Sequence, residues 1–263
     1  MGAVDSSFTG SIPRNYDRYL GPNIFVDYAA DLASRVAAYE PASILELAAG
    51  TGIVSQKIAE RAPVASFTIT DLNEDMLAIA AEKVGPRVKR QVADAMNLPF
   101  EADSFDIIAC QFGVMFFPDK AASFSEARRV LKPGGRYVFN VWAKMARNPF
   151  SETAFDAGSR FLPDNPPQFY KVPFSYPDPE IVVADLKAGG FAHIEFEVLD
   201  LEKPVANWRD FAKGLVHGNP LSIELQAGGV DPDQVVEAIG DALILRFGEG
   251  GTMPLQALVF TAG

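Results

Sequence analysis

The sequence predicts an α/β protein built on a doubly wound, seven-stranded, mostly parallel sheet. Three observations carry this expectation. Short apolar runs alternate with helical patterns up to about residue 142, as in a sheet covered by helices on both faces. The glycine-bearing stretch "ELAAGTG" (Glu46–Gly52) leaves an apolar run and enters a helical pattern. Four consecutive strands then end in a polar or small residue, at the sheet edge where such folds bind ligands.

"SILELA" is the first strand, followed by the glycine turn and a helix from about Ile53 to Ala62 that Pro63 stops. "SFTITDL" is a second strand, rich in β-branched and aromatic residues. Asn73 is placed to cap a helix carrying Met76, Leu77, Ala80 and Val84, ended by Gly85-Pro86. "VKRQVAD" gives a third strand, and the nearly all-apolar "FDIIACQF" a fourth, central one. Pro118 opens a helix with Phe124, Ala127 and Leu131 on its inner stripe; "KPGG" breaks it before the fifth strand, "RYVFNVW".

Residues 143–176 show many prolines and aromatics but little periodicity, the pattern of a long loop or lid. Asp178-Pro179 then opens a helix that closes at Gly189-Gly190. "HIEFEVLDLEK" alternates as a strand, and "PLQALVFTA" forms a final hairpin with it. A helical insertion, about 205–247, lies between those two strands, with Asn207 and Asp231-Pro232 as helix starts.

Composition removes several functions. The 263-residue chain is 48% hydrophobic, enough to bury a sizeable core. Acidic residues outnumber basic ones 34 to 23, and no Lys/Arg run supplies the face that nucleic acid or anionic lipid requires. A neutral or cationic small molecule suits the net charge of −11. One cysteine, Cys110, excludes a disulfide framework, and two distant histidines, His193 and His217, make no metal site. No signal-peptide h-region and no membrane span is recognised, so a cytoplasmic protein is expected. A homodimer is left open.

The glycine turn gains meaning from its companions. Asp71 ends the second strand, about 19 residues beyond Gly52, where a carboxylate can accept both hydroxyls of a ribose. Asp94-Ala95 closes the third strand and Gln111-Phe112 the fourth, beside the same crevice. Together, "ILELAAGTGIVS", "ITDLNEDML", "VADAMNLPFEADSFDIIACQFGVMFF" and "EARRVLKPGGRYVFNVW" resemble the class I S-adenosylmethionine-dependent methyltransferases. The branch is the one that includes ubiquinone/menaquinone-biosynthesis-like enzymes acting on small molecules. The likeness covers about 43–142, roughly two-fifths of the chain, and "PLQALVFTA" is similar to the family's reversed last strand.

The resemblance implies a Rossmann-like methyltransferase fold over 41–263, with the last strand antiparallel and helical insertions at 143–176 and 205–247 as a substrate lid. Residues 1–40 would form N-terminal cap helices, since "NYDRYLGP" resembles a covering segment. Glu46 would orient the turn from beneath; Ala48, Gly50 and Gly52 would pass the methionine part of the cofactor. Asp71 would bind the ribose, with Leu72 and Met76 against the adenine. Asp94 and Ala95 would meet the adenine edge, and Gln111 and Phe112 would lie near the methyl donor. Tyr16 and Tyr19 would close over the cofactor, and Tyr16 and His217 are the candidate bases. Ala48 departs from the family's usual glycine; the substitution costs little unless the position needs φ > 0. Glycines missing at Ala48 and Ile53 argue against a dinucleotide fingerprint, the mark of a nicotinamide-dependent oxidoreductase. A non-catalytic cofactor-binding protein is the other alternative.

Several motifs carry a plainer reading. "NPPQF" (165–169) lies in the wrong loop for an amino-methyltransferase motif. Cys110 reads as a buried, inert thiol, and His193 as structural. "FGVMFFP" reads equally as core or as the wall of an apolar substrate pocket, while Trp208 and Phe211 share a helix face that reads as packing.

Overall fold

A computed structural model describes Phe8 and residues 10–263. The first elements among the described residues form a continuous helical arm: α1 (Ile12–Asn15), a π-helix over Tyr16–Phe25, and α2 (Val26–Ala37). Wide π geometry accommodates Pro22, which has no N–H to give and would break an α-helix. Of the span 1–40 expected to form cap helices, residues 12–37 are helical, and residues 1–7 and 9 lie outside the described residues.

The core alternates as expected: β1 (Ser43–Glu46), α3 (Ile53–Arg61), β2 (Ser66–Asp71), α4 (Glu74–Val84), β3 (Lys89–Val92), β4 (Phe105–Gln111), α5 (Lys120–Val130) and β5 (Leu131–Trp142). Then follow α6 (Pro149–Ser159), α7 (Pro179–Ala188), β6 (Ile194–Pro204), α8 (Trp208–His217), α9 (Leu221–Ala227), α10 (Pro232–Phe247) and β7 (Thr252–Ala262). The seven strands order as β3-β2-β1-β4-β5-β7-β6. β7 runs antiparallel to both β5 and β6, and the other pairings are parallel. The order reverses between β1 and β4, which opens the crevice at their carboxyl ends.

Strand alternation divides the core. Ile44, Ile107 and Val138 pack on one face with Leu32 of α2, Ile58 of α3 and Ala80 of α4. Leu45, Ile108 and Phe139 pack on the other with α5 and with Phe150, Phe211 and Ile239 of the insertions. β4 lies fourth of seven and is buried along nearly its whole length.

Three local expectations change. Asp119, not Pro118, caps α5, accepting the Ala122 N–H at 2.9 Å, and Leu131 already belongs to β5. Asn73 occupies the cap position of α4, yet its side chain makes no cap hydrogen bond. His193 precedes β6 rather than starting it. Residues 149–159 form a helix inside the insertion whose sequence shows little periodicity, since its buried face is carried by small residues, Ala154, Ala157 and Gly158, beside Phe150. Asp178, Asn207 and Asp231 cap α7, α8 and α10 as the sequence predicts. No helix among the described residues is long and apolar enough to cross a membrane.

Candidate active site

The glycine turn is held through three backbone N–H groups and one side-chain hydroxyl. Leu47 N–H donates to Ala109 O and Ala49 N–H to Thr70 O, both at 2.9 Å, so the turn hangs between β4 and β2. Gly50 N–H donates to Asp71 Oδ2 at 2.8 Å, and Asn73 N–H donates to Asp71 Oδ1 at the same distance. Thr51 Oγ1 donates to Asp17 Oδ1 at 2.8 Å, and Lys83 of α4 pairs with the same carboxylate. Asp17 therefore clamps the π-helix to both the turn and α4.

Left-handed backbone gives the turn its shape. Ala48, Gly50 and Gly52 lie at φ of 50°, 56° and 78°. Gly52 has a second reason to be glycine: a Cβ there would stand 2.8 Å from Ala80 Cβ, where α3 approaches α4. Ala48 is the residue that bears strain, since a left-handed L-residue costs ~1–2 kcal/mol. The condition under which alanine would be costly is the one the structure shows.

A cavity of about 520 Å³ opens at the carboxyl ends of the strands. Its polar half is lined by Ala48, Gly50, Asp71, Leu72, Asn73, Met76, Asp94, Ala95 and Gln111. Asp71 is only 8% exposed, and burial raises its pKa against the pull of its backbone N–H donors. Asp94 Oδ1 accepts the Met96 N–H at 2.9 Å. Gln111 Nε2 donates to Phe25 O at 3.2 Å.

The other half is a wall of rings. Phe8, Phe116, Phe117, Trp142, Phe150, Phe169, Tyr170 and Phe174 line it, with Tyr16, Phe25 and Phe112 at the junction. Phe112 stands at φ 49° and stacks on Trp142 with ring centroids 3.9 Å apart. Its N–H is shared between Asn140 O at 3.1 Å and Asn140 Oδ1 at 3.0 Å. Polar groups in this half are spent within the protein: Tyr170 OH and Asn219 Nδ2 both donate to Leu215 O, and Ser151 Oγ donates to Asn148 O. No Lys, Arg or His is among the described residues lining the cavity.

Most of the expected residues converge here, but four do not line the cavity. Gly52 sits behind the turn, and Tyr19 packs through its Cβ against the Gly214 position of α8. Glu46 lies beneath the turn, 1% exposed, with its pKa pushed up to about 8 by burial, partly offset by the Ser55 hydroxyl. His217 is not among the residues lining the cavity, and its Nε2 lies 2.8 Å from Asp233 Oδ1. Burial raises the Tyr16 phenol far above its ordinary range, so it stays protonated at neutral pH.

The ring wall was largely missed. Phe8, Phe150, Tyr170 and Phe174 come from segments without periodicity, and only their aromatic density could have signalled them. Part of "FGVMFFP" lines the cavity (Phe112, Phe116, Phe117), while Val114 and Met115 are core. From "NPPQF" only Phe169 reaches the cavity. Cys110 is buried, its thiol pushed up to about 12 by burial. Trp208 packs, donating Nε1–H to Gly248 O at 2.7 Å.

A family model described as a methyltransferase domain matches residues 44–135. A demethylmenaquinone methyltransferase of Thermus thermophilus is 34% identical over 201 residues, 69% of this chain and 91% of that protein. One of Deinococcus radiodurans is 30% identical over 205 residues, 72% of this chain and 85% of that protein. Among solved structures, Haemonchus contortus phosphoethanolamine N-methyltransferase 2 in complex with S-adenosyl-L-methionine matches with a TM-score of 0.60. It is 19% identical, over 98% of this chain and 58% of that one.

Proposed function

Because the chain belongs to the class I S-adenosylmethionine-dependent methyltransferases, we propose that its cavity holds S-adenosylmethionine in the polar half and an uncharged, ring-bearing small molecule in the aromatic half. The single observation that carries this is the distribution of charge. Asp71 and Asp94 line one half, no cationic side chain among the described residues lines either, and the other half offers rings and spent hydrogen bonds. A charged acceptor would be buried there without a partner, at a cost of several kcal/mol.

The cofactor, when bound, supplies a methyl group on a cationic sulfur that departs as a neutral thioether. Asp71, held by N–H donors of Gly50, Leu72 and Asn73, presents its carboxylate to the ribose hydroxyls at the end of β2. Leu72 and Met76 offer apolar surface to an adenine, and Asp94 and Ala95 stand at its edge. Tyr16, Phe25 and Phe112 present rings where the two halves meet, and ring faces favour a cation. The arm and the two insertions exclude water and hold the acceptor in line, which is the main contribution such a displacement needs. We assign no general base: the Tyr16 hydroxyl is a donor, and His217 lies outside.

Turnover of S-adenosylmethionine with a panel of phenols, quinols, phosphorylated amines and carboxylates tests the reading. Both bacterial relatives are named as demethylmenaquinone methyltransferases, which puts a quinol in the panel. Uncharged ring compounds are expected to be methylated; turnover confined to phosphorylated or anionic acceptors would contradict the assignment of the aromatic half.

A further inference from the structure

Lys120 is a cation in a place that local electrostatics disfavour. It is the first residue of α5, at the positive end of that helix, and it is half-buried. Burial draws its pKa down, and the charges of Asp185 and Asp119 offset this only in part. It forms no ion pair among the described residues. A lysine answering only to its own helix would turn its ammonium into water.

The ammonium is held inside by two carbonyls and a ring. Nζ donates to Met115 O at 3.2 Å and to Phe117 O at 2.8 Å, and it lies 5.1 Å from the centre of the Tyr176 ring. The two carbonyls bracket Phe116, and Phe116 and Phe117 both line the aromatic half of the cavity. Tyr176 is buried, and its hydroxyl donates to Asp185 of α7. It stands two residues after Phe174, which lines the same half. Phe174 packs on Trp142 and Phe150, with ring centroids 6.0 and 6.4 Å apart. One side chain thus joins two stretches of ring wall that are far apart in sequence. Neither has a strand or a long helix to hold it: Val114–Phe116 is a single 3-10 turn, and residues 172–178 are turns and irregular backbone.

We propose that Lys120 is a positioning residue for the methyl acceptor: it fixes the stretch bearing Phe116 and Phe117 relative to the stretch bearing Phe174, and so sets which ring systems the aromatic half admits. The inference rests on the assignment of that half to the acceptor. Lys120 acts from behind the wall, since it is not among the residues lining the cavity. Without it, the two stretches shift independently and the fit to a ring loosens. The polar half keeps its shape, because Asp71 and the glycine turn are held by β2, β4 and the helical arm.

Lys120→Met keeps the length of the side chain and removes its donors. Hydrogen–deuterium exchange of the full chain is expected to quicken about tenfold in peptides covering 112–118 and 172–178, with β1, β4 and β5 unchanged. Calorimetry should show affinity for S-adenosylhomocysteine moving less than about twofold. On that complex, the affinities for phenol and for 1-naphthol should fall by different factors, so that their ratio changes about threefold or more. Lys120→Arg keeps donors and a cation that can lie on a ring, and is expected to retain the parent's exchange and ratio. Unchanged exchange in either stretch overturns the proposal. So does a constant ratio with all three affinities falling together, which is what a merely structural lysine would give. Where Lys120→Met does not fold, Tyr176→Leu takes the ring from the ammonium and carries the same expectations for 172–178 and for the ratio. Failure of both phenol and 1-naphthol to bind the parent contradicts the assignment of the aromatic half, and the exchange measurement still decides whether Lys120 joins the two stretches.

Discussion

Ala48 and Gly113 share one space. Ala48 turns at φ 50° and points its methyl to where a side chain at 113 would stand, 2.6 Å from a Cβ built on Gly113. The alanine in the turn is thus tolerated because its neighbour after β4 has no side chain. Gly113→Ala is expected to destabilise by ~1–3 kcal/mol, the usual range for overpacking. Ala48→Gly alone should change stability by less than about 1 kcal/mol, since relief of left-handed strain opposes added freedom in the unfolded chain. Combining them should recover part of the loss; the remainder comes from Cys110 Sγ, 2.7 Å from the same Cβ. Urea denaturation of the four chains checks this, and strict additivity would mean that the two positions do not share the space.

Glu46 sets a pH dependence of stability. Its folded pKa, about 8, lies above the ordinary value of 4.5, so the folded protein holds a proton that the unfolded chain has released. Its contribution is full below about pH 4.5 and is lost as pH rises toward 8, by up to about 1.4 kcal/mol per unit. Glu46→Gln removes the titrating group. The variant should match the parent near pH 4.5 and exceed it progressively up to pH 8, measured by denaturant midpoints across that range.

Asp17 ties the helical arm down through Thr51 and Lys83. Asp17→Ala is expected to cost ~0.5–1.5 kcal/mol and to quicken exchange of the cofactor. Stopped-flow binding should show faster dissociation, with the fold retained by circular dichroism. Unchanged dissociation would mean that the arm does not gate the site.

Trp142 stacks on Phe112 and belongs to the ring wall of the cavity. Trp142→Leu is expected to raise the acceptor KM about tenfold or more while cofactor affinity moves less than twofold, since a lost ring contact and its area amount to about 1.5 kcal/mol or more. Equal loss in both would place Trp142 at the cofactor instead.

How much of this could be read from the chain depends on where the signal lies. β1, β2 and β4 are short apolar runs bounded by turn residues, and α7, α8 and α10 begin at side chains that cap, so both were legible. The polar half of the cavity was legible because Asp71 and Gln111 each end a strand and Asp94 follows the end of β3 at Val92, and strand ends in this fold share an edge. The π-helix was hidden by Gly21-Pro22, which reads as a break, and α6 by a buried face made of alanine and glycine. Phe8, Phe150, Tyr170 and Phe174 meet only through tertiary packing of segments that carry no periodicity of their own. The strain at Ala48 was invisible, since φ is set by the turn and not by the residue that occupies it.

The central claim is that the crevice beside Asp71 holds S-adenosylmethionine, and calorimetry of parent and Asp71→Ala tests it most directly. Two hydrogen bonds to a charged group are lost in the variant, so affinity should fall at least tenfold, with the cooperative unfolding transition preserved. The same affinity in both chains would contradict the account.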